Sequence, residues 1–423
     1  MCYSLPKRGS PRGASFFRGV FVSLCNSKTL SMKRLLVLVL IGMVAATASA
    51  QEFRPVISYD ESKIKPYTLP ELMRTEAGEE VTTTQQWERV RRPELLRLFS
   101  EELYGYMPQG KVKQRFEVKA VDTAYAEGRA THKTVEMTFR RGDVERRATI
   151  HLYLPKQEQP VPLFMFFCGE LKKQTEWLEQ LLDAGYGLCT GDNNEFFADR
   201  QNDPGVYSNS VLALWGHTSE EELPMHISRA LGCWAWGHSR AMDYLETDPD
   251  VDATRVAIMG HSRGAKLAAW AAANDARFAV AILNNSGCAG AALFRRKFGE
   301  HAHRLNRSFP YWMCENFHKY NERDYAIPVD QHQLLALIAP RPLYVASGAE
   351  DLWADPKGEF LGLAYAEPLY NLYGYKGVAT MEWPAVDTPI GHRAAYHVRR
   401  GGHGVLPYDW QQYIRFVDKW LKK

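Results

Sequence analysis

The chain has 423 residues, 45% hydrophobic and 24% charged, with 52 Lys/Arg against 49 Asp/Glu. This composition excludes a disordered or fibrous chain and is enough for one large core or two smaller ones. The basic excess is local: residues 1–50 hold seven Lys/Arg and no Asp/Glu, so the remainder carries 45 basic against 49 acidic groups, a net of −4, with no electrostatic basis for nucleic-acid binding.

Met32-Lys33-Arg34 precedes the apolar run LLVLVLIGMVAATASA, which ends in Ala48-Ser49-Ala50. A basic segment, an apolar segment and a small-residue site in that order predict a secretory signal peptide, with Gln51 as the mature N-terminus. Residues 1–31 precede this alternative start at Met32. The apolar run is short for a bilayer span, so an exported chain without stable membrane insertion is expected. Residues 51–423 are then a single catalytic domain. Five of the seven cysteines lie in it: Cys168, Cys189, Cys233, Cys288 and Cys314. They show no Cys-x-x-Cys and no zinc spacing, so neither a metal site nor a cofactor is expected. Cys168 and Cys189 sit in apolar strand-like runs and read as small core residues. A monomer is expected, in which an odd number of thiols leaves at least one unpaired.

Taken in order, the chain is polar at first and then helical over 85–106, where Trp87, Val90, Leu95, Leu98 and Phe99 form an apolar face. Three alternating runs follow, Arg115–Val121, Thr134–Phe139 and Ala148–Leu154, which predict an antiparallel entry to a sheet. The pattern then changes to strand and helix in turn. Val161–Phe167 is continuously apolar, as in a strand buried on both faces, and Gly185–Thr190 is the next strand. Asp192–His217, rich in Asn, Asp and Gly, reads as a long surface loop. Pro224–Tyr244 is helical, and Asp248–Ala253 turns the chain into another strand. Phe278–Leu283, Arg341–Ser347 and Tyr396–Arg399 are further short strands, and Tyr408–Lys423 has helical spacing. One doubly wound α/β domain accounts for this order.

Within it, Arg255–Trp270 reads RVAIMGHSRGAKLAAW. A β-type run enters Gly260-His261-Ser262-Arg263-Gly264 and an alanine-rich helix leaves it, the setting in which G-x-S-x-G presents a nucleophilic serine on a tight turn. Ser262 is the candidate nucleophile. Gly237-His238-Ser239-Arg240-Ala241 nearly repeats the motif, but no strand leads into it, and Ser239 reads as a helix residue.

A serine hydroxyl needs a base, and the base needs an orienting acid. His403 stands in Arg400-Gly401-Gly402-His403-Gly404, after a strand and before the last helix, where glycines let the loop close over the serine. The acid comes from Gly348-Ala349-Glu350-Asp351, with Asp351 preferred and Glu350 the rival. For the oxyanion, the Arg263 backbone N–H starts the elbow helix, and a second donor is expected around Cys168-Gly169-Glu170. The Arg263 guanidinium can add a donor or equally form a supporting salt bridge. Lys266 lies one helical turn past Ser262, on the same side. Trp353 follows the acid and suits stacking on a sugar ring.

These residues resemble the bacterial branch of the glucuronoyl esterases, carbohydrate esterase family 15. The resemblance runs through GHSRGAKLAAWAAA, NNSGCAGAALFRR, PVDQHQLLALIAPRPLYVASGAEDLWADPKGEF and YHVRRGGHGVLPYDWQQY, and also through the N-terminal LPELM…VTTTQQWERVRRPELLRLFSEELYG. It implies an α/β-hydrolase fold, a three-layer αβα sandwich with a mostly parallel sheet. It also implies hydrolysis of the ester between 4-O-methyl-glucuronic acid of glucuronoxylan and lignin alcohols. In that reading Ser262 is the nucleophile, His403 the base and Arg263 an oxyanion contributor, while Lys266 and Trp353 contact the uronic acid. The chain departs from the pattern at Asn284-Asn285-Ser286-Gly287. Many members carry a triad glutamate just before this Ser-Gly; Asn285 cannot serve as an acid, so the role passes to Asp351. For the substrate-contacting Gln and Glu the candidates are Trp312, Glu315 and Gln331. Another carbohydrate esterase, such as an acetylxylan esterase, and a non-catalytic exported carbohydrate-binding protein are the competing readings.

Overall fold

The apolar runs assemble into one mixed ten-stranded sheet, described here from a computed structural model that covers residues 57–422. The expected signal peptide and the choice of start lie outside the described residues. Three long strands enter first: β1 (Lys113–Asp122), β2 (Ala130–Arg141) and β3 (Val144–Pro155). They pair antiparallel, and Arg141 faces Val144 across a two-residue turn. Next come β4 (Val161–Met165), β5 (Gly187–Gly191), β6 (Val251–His261), β7 (Val280–Asn284), β8 (Leu343–Gly348), β9 (Ile390–Gly391) and β10 (Ala394–Arg399). The order across the sheet is β1-β2-β3-β5-β4-β6-β7-β8-β10-β9. The block from β5 to β10 is parallel, with antiparallel partners at both ends.

Helices cover both faces, as the unbroken burial of β4, β5 and β7 requires. Among them are α1 (84–104), α2 (Glu176–Asp183), α3 (Ala230–Leu245), α4 (Arg263–Asn274), α5 (Gln331–Ala336), α6 (Pro356–Ala364) and α7 (Pro407–Leu421). Successive residues of β6 serve opposite layers. Val256 and Ile258 join a core with Leu95, Phe99, Trp270 and Phe360, whereas Ala257 and Met259 join Trp410, Tyr413 and Phe416 of α7. This is a three-layer sandwich. Each large side chain that α7 buries is worth roughly 1.5–3 kcal/mol, which ties the C-terminus to the sheet.

Two expectations change. The segment 192–217 is not a surface loop. It folds into short helical turns that bury Phe196, Phe197, Val206, Tyr207, Val211, Leu212 and Leu214, because its apolar residues outweigh its turn residues. Cys168 is exposed in the loop after β4 rather than in the core, while Cys189 is buried; all five described cysteines are free thiols. The chain passes from β4 to β5 on one side and returns to β6 on the other. This reversal opens a crevice at the carboxyl ends of β4 and β6, the usual ligand position in open α/β sheets.

Candidate active site

Ser262 stands at that crevice, between the last residue of β6 and the first of α4, with φ 57° and ψ −125°. This backbone conformation costs a non-glycine residue about 1–3 kcal/mol and is typical of strained functional turns. The turn is pinned to β7, since Ser262 N–H donates to the Asn284 carbonyl at 2.9 Å. Gly260 is required here: a Cβ on it would lie 2.0 Å from the Gly264 carbonyl oxygen, whereas one on Gly264 would meet nothing within 4 Å. Ser239, in contrast, sits inside α3.

Ser262 lines a cavity of about 360 Å³ together with Arg263, Lys266, Asn285, Asp351 and His403. His403 Nδ1 lies 2.7 Å from Asp351 Oδ2, and Asn285 Nδ2 donates to that same oxygen at 2.6 Å. Asp351 is buried and Glu350 exposed, so the carboxylate facing the imidazole is that of Asp351. Burial raises the Asp351 carboxyl, but the hydrogen bonds from His403 and Asn285 outweigh it and hold it below the usual carboxylate value. His261, its ring 4.5 Å from that of His403, is pushed down to about 4 by burial and by the His403 charge. It is therefore neutral, and its Nδ1 pairs with Asn284 Oδ1 at 2.6 Å.

The glycine-rich His403 loop is held by a residue that the sequence did not single out. Buried Arg399 donates to the carbonyls of Arg400, Gly402 and Gly404 at 2.9, 3.1 and 2.6 Å, and to Asp409 at 2.7 Å. Glu359 does the same for the 285–287 turn. Its carboxyl accepts from Ser286 N–H and hydroxyl, Gly287 N–H and Ser347 hydroxyl. Full burial raises this carboxyl to about 7.

The Arg263 guanidinium pairs with Asp199, which also accepts from Tyr311 Oη at 2.7 Å and Trp312 Nε1 at 2.9 Å. It lies 4.9 Å from the Trp312 ring centroid and 5.3 Å from that of Phe309. With 46% of the side chain still exposed, the ion pair and a donor role coexist. Of the backbone donors expected after β4, two are engaged within the fold. The N–H groups of Cys168 and Gly169 already donate to Thr190 Oγ1 and the Gly191 carbonyl.

Lys266 is 3% exposed, and its ammonium donates to the Ser286 and Cys288 carbonyls and to Glu300 at 2.6–2.7 Å. Glu300 thereby reaches the cavity, as does Arg304, whose guanidinium lies 5.7 Å from the Trp353 ring centroid. Trp353 and Trp312 line it too. Glu315 and Gln331 do not. Glu315 pairs with Arg229, and Gln331 is buried in α5, donating to the Gly290 carbonyl at 2.7 Å. The one available signal for Glu300 was indirect, since a buried lysine requires an anion.

This geometry has close relatives. A family description, glucuronyl esterase of fungi, matches residues 193–374. The carbohydrate esterase MZ0003 of an unknown prokaryotic organism is 36% identical over 400 residues, spanning 85% of this chain and 91% of its own. The chain belongs to the glucuronoyl esterases of carbohydrate esterase family 15. A solved glucuronoyl esterase from Solibacter usitatus is 39% identical, with a TM-score of 0.78, over 84% of this chain and 99% of that one. The 4-O-methyl-glucuronoyl methylesterase of Hypocrea jecorina is 29% identical over 54% of this chain and 47% of its own. As a member of this family the chain is a carboxylic ester hydrolase with an α/β-hydrolase fold. Among the described residues no helix is long and apolar enough to cross a membrane.

Proposed function

We propose that this glucuronoyl esterase hydrolyses the ester between 4-O-methyl-glucuronic acid of glucuronoxylan and lignin alcohols, as an exported monomer. The observation that carries this is the meeting of Ser262, His403 and Asp351 with Lys266, Glu300, Arg304 and Trp353 around one cavity. Polar and charged groups beside an indole suit the hydroxyls and apolar face of a pyranose ring.

The Ser262 hydroxyl oxygen attacks the ester carbonyl carbon while His403 Nε2 takes its proton. Asp351 fixes the imidazole with its other proton on Nδ1 and compensates the imidazolium charge. The Arg263 guanidinium and the leading N–H groups of α4 stabilise the oxyanion. Collapse of the tetrahedral species breaks the bond to the alcohol, which leaves with the proton from His403. Water then attacks the acyl-enzyme by the same route and releases the uronic acid. His261, kept neutral, adds no positive charge beside the imidazolium as it forms.

The test compares benzyl glucuronate with acetylated xylan as substrates, using the wild type and Ser262→Ala. Cleavage of the uronate ester that is lost in Ser262→Ala supports the proposal. Acetate release alone identifies an acetylxylan esterase, and turnover unchanged by Ser262→Ala removes the serine mechanism.

A further inference from the structure

A second cluster of chemistry-bearing residues lies on the antiparallel strands, away from the serine. In the β2–β3 ladder His132 faces Tyr153 and Thr134 faces His151, so all four side chains project from one face of the sheet. His132 Nε2 is 3.2 Å from His151 Nδ1, and the Thr134 hydroxyl is 3.3 Å from the same nitrogen. Glu170, on the loop after β4, reaches this pair. One ligand atom from each of His132, His151 and Glu170 lies within 4.8 Å of the other two.

The loop holds Glu170 there from both sides. Gly169 N–H donates to the Gly191 carbonyl at 2.9 Å, and Leu171 N–H donates to the Tyr153 hydroxyl at 3.1 Å. Tyr153 in turn stacks on His132, with ring centroids 4.4 Å apart and the planes within 3°. His132 is therefore oriented by the residue that also ties down the Glu170 loop.

We propose that His132 Nε2, His151 Nδ1 and the Glu170 carboxylate bind a divalent cation of the zinc type. Two imidazoles and one carboxylate suit zinc and its first-row neighbours rather than calcium or magnesium, which take oxygen ligands. Two nitrogens on a tetrahedral ion at about 2.0–2.1 Å stand roughly 3.3–3.4 Å apart, close to the separation present without an ion. Burial keeps both imidazoles below their ordinary pKa and so in the neutral form that offers a lone pair. His132 then carries its proton on Nδ1 and His151 on Nε2, while water completes the shell. None of the three residues lines the cavity at Ser262. The ion would clamp the loop after β4 to the outer strands. Phe167, Cys168 and Gly169 of that loop wall a neighbouring cavity of about 300 Å³.

The test is calorimetric titration of the chelator-treated full chain with ZnCl2 and, separately, CaCl2. One equivalent of zinc and no calcium should bind. Glu170→Gln, at an exposed position that leaves folding undisturbed, should weaken zinc binding about tenfold or more, and His132→Gln should abolish it. Co2+ should show visible d–d absorption in the wild type that His132→Gln lacks. Absence of stoichiometric zinc binding overturns the proposal. So does an isotherm that both substitutions leave unchanged, which would place the zinc on other side chains.

Discussion

Replacing Asp351 by Asn isolates the acid in the proposed triad, because volume and shape are kept while the charge is removed. Asp351 Oδ2 accepts from His403 Nδ1 at 2.7 Å and from Asn285 Nδ2 at 2.6 Å. With the charge gone, nothing within hydrogen-bond reach of Nδ1 compensates the imidazolium as it forms. At an effective dielectric of about 20, a charge pair at roughly 4 Å is worth about 4 kcal/mol, and each 1.36 kcal/mol is about tenfold in rate. The expected loss in kcat is therefore about a thousandfold, extending to about ten-thousandfold if the amide also holds the wrong imidazole tautomer. KM should change by less than about threefold, since the residue acts through His403. Glu350 is exposed and does not line the cavity, and Glu350→Gln should keep kcat within about twofold. The assay is steady-state hydrolysis of benzyl glucuronate by both variants, with thermal unfolding as the folding control. If Asp351→Asn retains kcat within tenfold, or Glu350→Gln loses as much as it does, the assignment of the acid is wrong.

Asn285→Ala removes one of the two donors on Asp351 Oδ2. Loss of a hydrogen bond to a charged group costs about 1.5–3 kcal/mol, so kcat should fall about ten- to a hundredfold and the acidic limb of the kcat profile should move to higher pH. An unmoved limb would detach Asn285 from the acid. Arg263→Ala should lower kcat by about 10²–10³ with little change in KM, as expected for a donor that acts in the transition state; a change in KM alone would assign it to binding. Lys266→Met leaves buried Glu300 unpaired and should destabilise the fold by about 3–5 kcal/mol in denaturant titration, whereas a lysine serving the substrate alone would change KM and leave the midpoint in place. Burial pushes His238, His261 and His332 down to about 4. Each folded value lies below the unfolded one of about 6.5, so this contribution, on the order of 3 kcal/mol apiece, is complete above that pH and lost as pH falls toward 4. Glu359, raised to about 7, acts in the opposite sense and offsets about one of them. The melting temperature should therefore fall by several degrees between about pH 7.5 and about pH 5, and a constant value would contradict the burial of these imidazoles.

Much of the fold was legible because its signals are local. Period-two alternation marked β1 to β3, unbroken apolar runs marked β4 and β7, and helical spacing marked α7. The segment 192–217 was misread because turn residues and buried aromatics alternate along it. Which of them governs depends on whether Phe196, Phe197 and Tyr207 find a core to enter. At the candidate site the chain signals were strong where a motif constrains the backbone, as at Gly260 to Ser262, or where glycines flank an imidazole, as at His403. They were weak for Glu300, Arg399, Glu359 and Asp199, whose importance comes from partners distant in the chain. Glu315 and Gln331, nearer in type to what was sought, turn toward Arg229 and Gly290 instead.

The sequence by itself pointed to the candidate serine and histidine and to the order of strands and helices, because each is written in contiguous residues whose spacing restricts φ, ψ and burial, and its motifs carried the resemblance to the family. Tertiary structure alone decided which carboxylate meets His403. Glu350 and Asp351 are adjacent in the chain, and only the packing of the β8 and β10 loops turns one of them inward. It also decided that Asn285 donates to the acid, that Lys266 is locked to Glu300, and that two histidines nineteen residues apart converge on Glu170. Such contacts depend on strand register and loop closure over long separations, which local spacing does not encode.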